Sequence, residues 1–124
     1  MRRIVYAGRM KANPDRDRTV EQLSALAHST RFEVFRALMR AGNEGLSAGT
    51  IAEFLEIAPN TLSNHLAILQ RAGLTAVRRD GRRLIYAAEI GAITSLVEAM
   101  VRDCCDGHPE VCKPLTNAST VDCS

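Results

Sequence analysis

The chain has 124 residues, 46% of them hydrophobic and 24% charged, with a formal net charge of +2. That length fits one small domain with a modest core, which is expected to complete itself by pairing with a second copy. No apolar run approaches the roughly 20 residues that cross a bilayer, and the opening MRRIVYAGRMK lacks the hydrophobic core and cleavage site of a secretory signal, so a cytoplasmic protein with no membrane partner is expected. Of the 16 basic residues 14 are Arg, gathered near the N-terminus and between Arg78 and Arg83. The planar guanidinium fork suits phosphate, so these clusters point towards a polyanion.

Residues 1–18 mix Arg, Gly, Pro and Asp without periodicity and are expected to form a flexible basic arm. Thr19 with Gln22 resembles a capping box, and Val20, Leu23, Leu26 and Ala27 then keep helical spacing. A second helical run starts at Thr30 or Arg31 and carries Phe32, Phe35, Leu38 and Met39 as core until Ala41-Gly42-Asn43 breaks it. Ser47 stands where an N-cap would start the next helix, in which Ile51, Ala52 and Leu55 recur at helical spacing. Pro59 and Asn60 mark a turn, and a further helix buries Leu62, Leu66 and Leu69 before Gly73 stops it. The stretch from Leu46 to Leu74 therefore reads as a helix-turn-helix. Opposite its leucines the second helix holds Asn60, Ser63, Asn64 and Ala67, with Thr61 on the flank, short groups suited to base edges in a major groove.

Leu74 to Ala88 changes character: two short strand-like runs flank Asp80-Gly81, a pair suited to a type I′ hairpin turn. Arg78, Arg79, Arg82 and Arg83 crowd the tip, which reads as a wing gripping phosphates or the minor groove. Leu84 and Tyr86 share one face and are expected to pack inward. From Glu89 to Arg102 the helical period returns, with Ile90, Ile93, Val97 and Met100 on one ridge that Cys104 extends and that is expected to meet the first helix and a second protomer. The fold class is thus mainly α with a small β-hairpin, a dimeric winged helix-turn-helix. Its parts are an arm over 1–18, the domain over 19–104 and a cysteine-containing tail over 105–124, whose Gly107, Pro109 and Pro114 read as loop.

The order of elements, together with LAHSTRFEVF, NTLSNHLAILQRAGL and VRRDGRRLIYA, resembles the ArsR/SmtB family of metal-responsive winged-helix repressors from about Leu23 to Met100. The resemblance implies a homodimer that sits on double-stranded operator DNA and leaves it when a metal or metalloid binds. It also places Ser63 and Asn64 among the recognition-helix residues, with Thr61 near the helix start. His65 fills a position where the family often has histidine, but its angle on the wheel turns it towards the buried edge, as a packed or hydrogen-bonded structural residue.

The chain departs from the founding arsenic sensors: IAEFLEI holds no cysteine pair, and the last helix has no histidines for the zinc site of other members. The concentrated ligand set is Cys104, Cys105 and Cys112 in DCCDGHPEVC, which resembles the C-terminal cysteines of arsenic-responsive repressors. Three thiolates suit a soft centre, and trivalent arsenic or antimony has a lone pair that leaves room for three sulfurs. Arsenite or an organoarsenical, with antimonite beside it, is therefore the expected inducer. Adding His108 would give a tetrahedral set for zinc, cadmium or lead, and Cys123 reads as a bystander or auxiliary thiol. Two rivals stand beside this: a thiol redox switch on the same fold, and a thiol-dependent arsenate reductase, for which no phosphate-cradling loop precedes a cysteine. No catalytic residue is assigned.

Overall fold

The computed structural model describes residues 13–104 and residue 110. Helix α1 (Pro14–Leu26) starts earlier than expected: Asn13 is its N-cap, accepting from Arg16 N at 3.1 Å, and Pro14 occupies the first turn with Asp15 and Asp17. Proline loses nothing where the N–H has no partner, and the two carboxylates face the positive helix pole. The Thr19 box does not cap a helix, since Thr19 Oγ1 donates to Asp15 O one turn back and Gln22 is buried. The arm thus yields residues 14–18 to α1, and residues 1–12 lie outside the described part.

Helix α2 (Ser29–Ala41) is capped by His28, whose Nδ1 accepts from Thr30 N at 3.2 Å. Val34, Phe35 and Leu38 are buried, whereas Phe32, expected in the core, is 48% exposed. At about 100° per residue it lies roughly 110° around the wheel from the centre of the buried face. A short 3-10 turn (Gly42–Glu44) leads to β1 (Leu46–Ser47). Ser47 then caps α3 (Ala48–Leu55) as expected, accepting from Thr50 N at 3.1 Å.

The connection to α4 (Pro59–Arg71) is Glu56 to Ala58; Pro59 and Asn60 belong to the first turn of α4 and not to the bend. Glu56 is the described non-glycine residue with positive φ, at 54°, and ends α3 while Ile57 N reaches back to Ala52 O at 3.0 Å. Along α4, Leu62, Leu66 and Leu69 enter a core shared with Ala25, Val34, Phe35, Leu38, Ile51 and Leu74.

Strands β2 (Thr75–Asp80) and β3 (Arg83–Ala88) form the expected hairpin, with Asp80 opposite Arg83. The two-residue turn is therefore Gly81-Arg82, one residue later than expected. Positive φ at Gly81 (65°) but not at Arg82 is the pattern of a type II′ turn, not I′. Strand β1 has no counterpart in the sequence reading: it pairs with β3, Leu46 opposite Tyr86, giving an antiparallel sheet in the order β1-β3-β2. Tyr86 packs against the core, but Leu84 at the wing stays exposed. Helix α5 (Ile90–Ala99) buries Leu96 and runs on as a π-helical turn (Met100–Cys104). No described helix is long and apolar enough to cross a membrane.

An L-residue in the left-handed region costs roughly 1–2 kcal/mol, partly offset for glycine by its looser unfolded chain. Glu56→Gly is therefore expected to raise the unfolding free energy by about 0.5–1 kcal/mol in a urea titration, and a lower value would refute strain at this bend.

Candidate nucleic-acid interface

With its leucines turned inward, α4 exposes Asn60, Thr61, Ser63, Asn64 and Ala67 on one surface. Its first intrahelical bond runs from Leu62 N to Ala58 O at 2.9 Å, and Ala58 supplies no side-chain cap. The amides of Asn60 and Thr61 therefore open outward at the positive end of the helix. Hydroxyl and amide side chains above open amides suit a phosphate at the helix start and base edges along the first two turns.

The four wing arginines divide into two groups. Arg78 donates from Nη1 to Asn43 O at 3.2 Å and from Nη2 to Glu44 O at 2.9 Å, so its fork pins the hairpin to the 3-10 turn. Arg79, Arg82 and Arg83 are exposed and make no hydrogen bond or ion pair with described residues. Three guanidiniums thus remain at the tip for phosphate. The long-range bonds of Arg78 had no sequence signal, since their partners lie 34 and 35 residues away.

His65 is a packed residue as expected, not part of the exposed face. Arg31 Nη1 lies 3.5 Å from its Nδ1, and the His28 ring stands 4.7 Å away between centroids, tilted by 49°. Because Arg31 only donates, Nδ1 accepts and the neutral ring carries its proton on Nε2. Partial burial, then the neighbouring His28 and Arg31, hold its pKa below the ordinary 6.5. Arg31 is itself anchored, with Nε donating to Ala25 O at 2.7 Å.

Of the expected metal ligands, Cys104 ends the π-helical turn, and its backbone is what is placed. Cys105 and Cys112, with His108 and Cys123, lie outside the described residues. Among the described residues no three His, Cys, Asp or Glu side chains gather to hold a metal.

Residues 26–78 match the family model for a helix-turn-helix domain. HlyU, a transcriptional activator of Vibrio cholerae, is 30% identical over 91 residues, covering 73% of this chain and 82% of HlyU. Its solved structure has a TM-score of 0.60 at 26% identity, over 73% of this chain and 96% of that one. A Halobacterium salinarum protein, ArsR, named for repression of an arsenical resistance operon, is 36% identical over 69 residues, 56% of this chain and 53% of its own length. The chain belongs to the ArsR/SmtB family. An ArsR-like transcriptional regulator from a Rhodococcus species shares the fold over 90% of this chain and all of its own, with a TM-score of 0.68 at 20% identity. The relatives are named as transcriptional regulators, so this ArsR/SmtB member is a DNA-binding protein and not an enzyme, and the reductase alternative falls away.

Each phosphate contact contributes roughly 0.9 to the logarithmic salt slope on duplex DNA. Replacing Arg82 and Arg83 together with Ala is expected to weaken binding to all sequences and flatten that slope by about 2, measured by fluorescence anisotropy across a salt series. An unaltered slope would remove the wing from the interface.

Since the folded pKa of His65 is depressed, its neutral form stabilises the fold above its unfolded value near 6.5, and this contribution is lost as pH falls through the folded value. Between pH 7.5 and 5.5 the native protein is expected to lose more stability than His65→Gln, as read by urea denaturation at both values. Equal losses would contradict the assignment.

Proposed function

We propose that the protein is a homodimeric transcriptional repressor that holds operator DNA until trivalent arsenic or antimony is taken up by Cys104, Cys105 and Cys112. The observation that carries this is the continuity of α5 with the turn that ends at Cys104. The same helix shows an uncovered apolar ridge, Ile90 (47% exposed), Val97 and Met100, and α1 adds Val20 (55% exposed) and Leu23. Val20, Leu23 and Ala99 border one groove between the two helices. A second copy laid on this ridge would bury it, and the two α4 helices would then enter successive major grooves about one helical turn apart.

The donor set supports the choice of ligand. Thiolates are soft, and three of them within nine residues match the pyramidal preference of a trivalent metalloid without requiring a fourth ligand. The Halobacterium relative named for an arsenical resistance operon supports the same chemistry. Uptake at the end of α5 acts on the helix that would pair the protomers, so ligand binding and the spacing of the two α4 helices are coupled. A coupling of about 1–3 kcal/mol is enough for roughly 5- to 150-fold in DNA affinity, provided the ligand prefers the DNA-free arrangement.

Cys104→Ser and Cys105→Ser are each expected to bind a selected duplex within about twofold of the native protein yet to keep it when arsenite is added. Anisotropy of a labelled duplex during arsenite titration reads both quantities. Release by arsenite in both variants would defeat the assignment, and release by peroxide but not by arsenite would make the cysteines a redox switch.

A further inference from the structure

The C-terminal end of α4 accounts for its carbonyls in an unusual way. Ala72 N bonds Ile68 O at 3.1 Å, Gly73 N bonds Gln70 O at 2.9 Å and Leu74 N bonds Leu69 O at 3.0 Å, a Schellman arrangement with Gly73 at φ 80°. That leaves Arg71 O and Ala72 O without a backbone donor. Both are met from α1, some 50 residues earlier: Arg18 Nη1 donates to Arg71 O at 3.4 Å, and the buried Gln22 Nε2 (7% exposed as a residue) donates to Ala72 O at 3.1 Å.

We propose that Arg18 and Gln22 are positioning residues, which cap the DNA-reading helix from across the fold and so tie its orientation to the α1–α5 layer. Three further observations support this. The Arg18 guanidinium, held by Glu21 Oε1 at 3.1 Å, lies directly over Gly73, where a Cβ would push it off its seat. Glycine thus serves both the left-handed turn and the seat of the cap. The same turn is joined to the start of α5 by Glu89 N donating to Leu74 O at 2.8 Å. Between α1, the turn and α5 runs a crevice of about 450 Å³, bordered by Arg18, Gln22, Gly73, Leu96, Ala99 and Arg102. The layer and the end of α4 are therefore linked across this gap by a few directional bonds rather than by close packing alone. A shift of α1 against α5 moves the donors, and α4 must follow or lose its cap.

The link rests on the DNA-binding role of α4 and deepens the proposed switch by naming how a change in the helix layer reaches the duplex. It is tested with Gln22→Met, which keeps the volume but not the donor, and with the solvent-accessible Arg18→Met and Arg18→Lys. Each variant is first shown by circular dichroism and sedimentation to be folded and in the native oligomeric state. Affinity is then measured for a duplex selected by the native protein from a random pool and for unselected duplex. A positioning role lowers the ratio of the two affinities about tenfold in Gln22→Met and severalfold in Arg18→Met, with Arg18→Lys restored towards the native ratio, because phosphate contacts persist while the reading face is displaced. A purely structural role lowers thermal stability but leaves the ratio of the folded protein unchanged in both Met variants, and that result would overturn the proposal. Should Gln22→Met fail to fold, the Arg18 pair decides. In a second arm arsenite is added, and the factor by which it weakens binding is expected to shrink in the Met variants. If the native protein ignores arsenite, the ligand assignment fails, while the affinity ratio still decides the link.

Discussion

Burial of the α4 leucine stripe is the constraint from which the other features follow. Leu62, Leu66 and Leu69 are essentially sealed from solvent against Val34, Leu38, Ile51 and Leu74. At about 2 kcal/mol for each buried leucine, this contact decides which face of α4 turns inward. Once those three positions point inward, helical geometry leaves Asn60, Thr61, Ser63 and Asn64 facing outward. The candidate reading surface is thus a by-product of packing, and its side chains need contribute nothing to folding.

The preference for arginine over lysine has a physical reason on both sides of the molecule. Between elements a guanidinium closes gaps by bonding backbone carbonyls: Arg31 to Ala25 O, Arg78 to Asn43 O and Glu44 O, and Arg18 to Arg71 O. A planar fork holds two acceptors side by side, or bonds one and stacks on another surface, with less freedom lost per bond than an ammonium on its flexible stem. Arg79, Arg82 and Arg83 carry the same chemistry outward, where in the proposed complex phosphate oxygens would take the place of carbonyls as the acceptors. One residue type therefore serves both as the mortar between short elements and as the candidate grip on a polyanion, and a count of positive charge alone does not distinguish the two uses.

Much of this was legible in the residues, and the failures have specific causes. The leucine period, the Ser47 cap and the wing hairpin were visible because each depends on neighbours within a few positions; the inward turn of His65 followed from its angle on the α4 wheel, although its partners Arg31 and His28 lie more than 30 positions away. The start of α1 was misplaced because Asn13, Pro14, Asp15 and Asp17 signal a helix through capping and charge, while the apolar period first shows at Val20. The hairpin turn slipped by one because glycine suits either the second position of one turn type or the first of another, and the pairing of Asp80 with Arg83 decided between them. Strand β1 is two residues long, too short for any periodicity. Phe32 shows that a large apolar residue in a helical run need not be core in an isolated protomer. The cap on α4 had one faint sign, Gln22 on a stripe otherwise suited to apolar residues, but its partner at Ala72 is 50 positions away.

The strand order β1-β3-β2 places β3 in the middle and leaves two open borders. One border is only two residues long, and the other is β2, whose outer half is Arg78, Arg79 and Asp80. An unpaired strand is a template on which identical chains can add and grow into fibrils, and clustered ionic groups along it make such stacking unfavourable. The charges that edge the wing, among them Arg79 of the candidate phosphate grip, therefore also work against polymerisation of the sheet, so neutral substitutions there are a route to insoluble protein even where the domain itself remains folded.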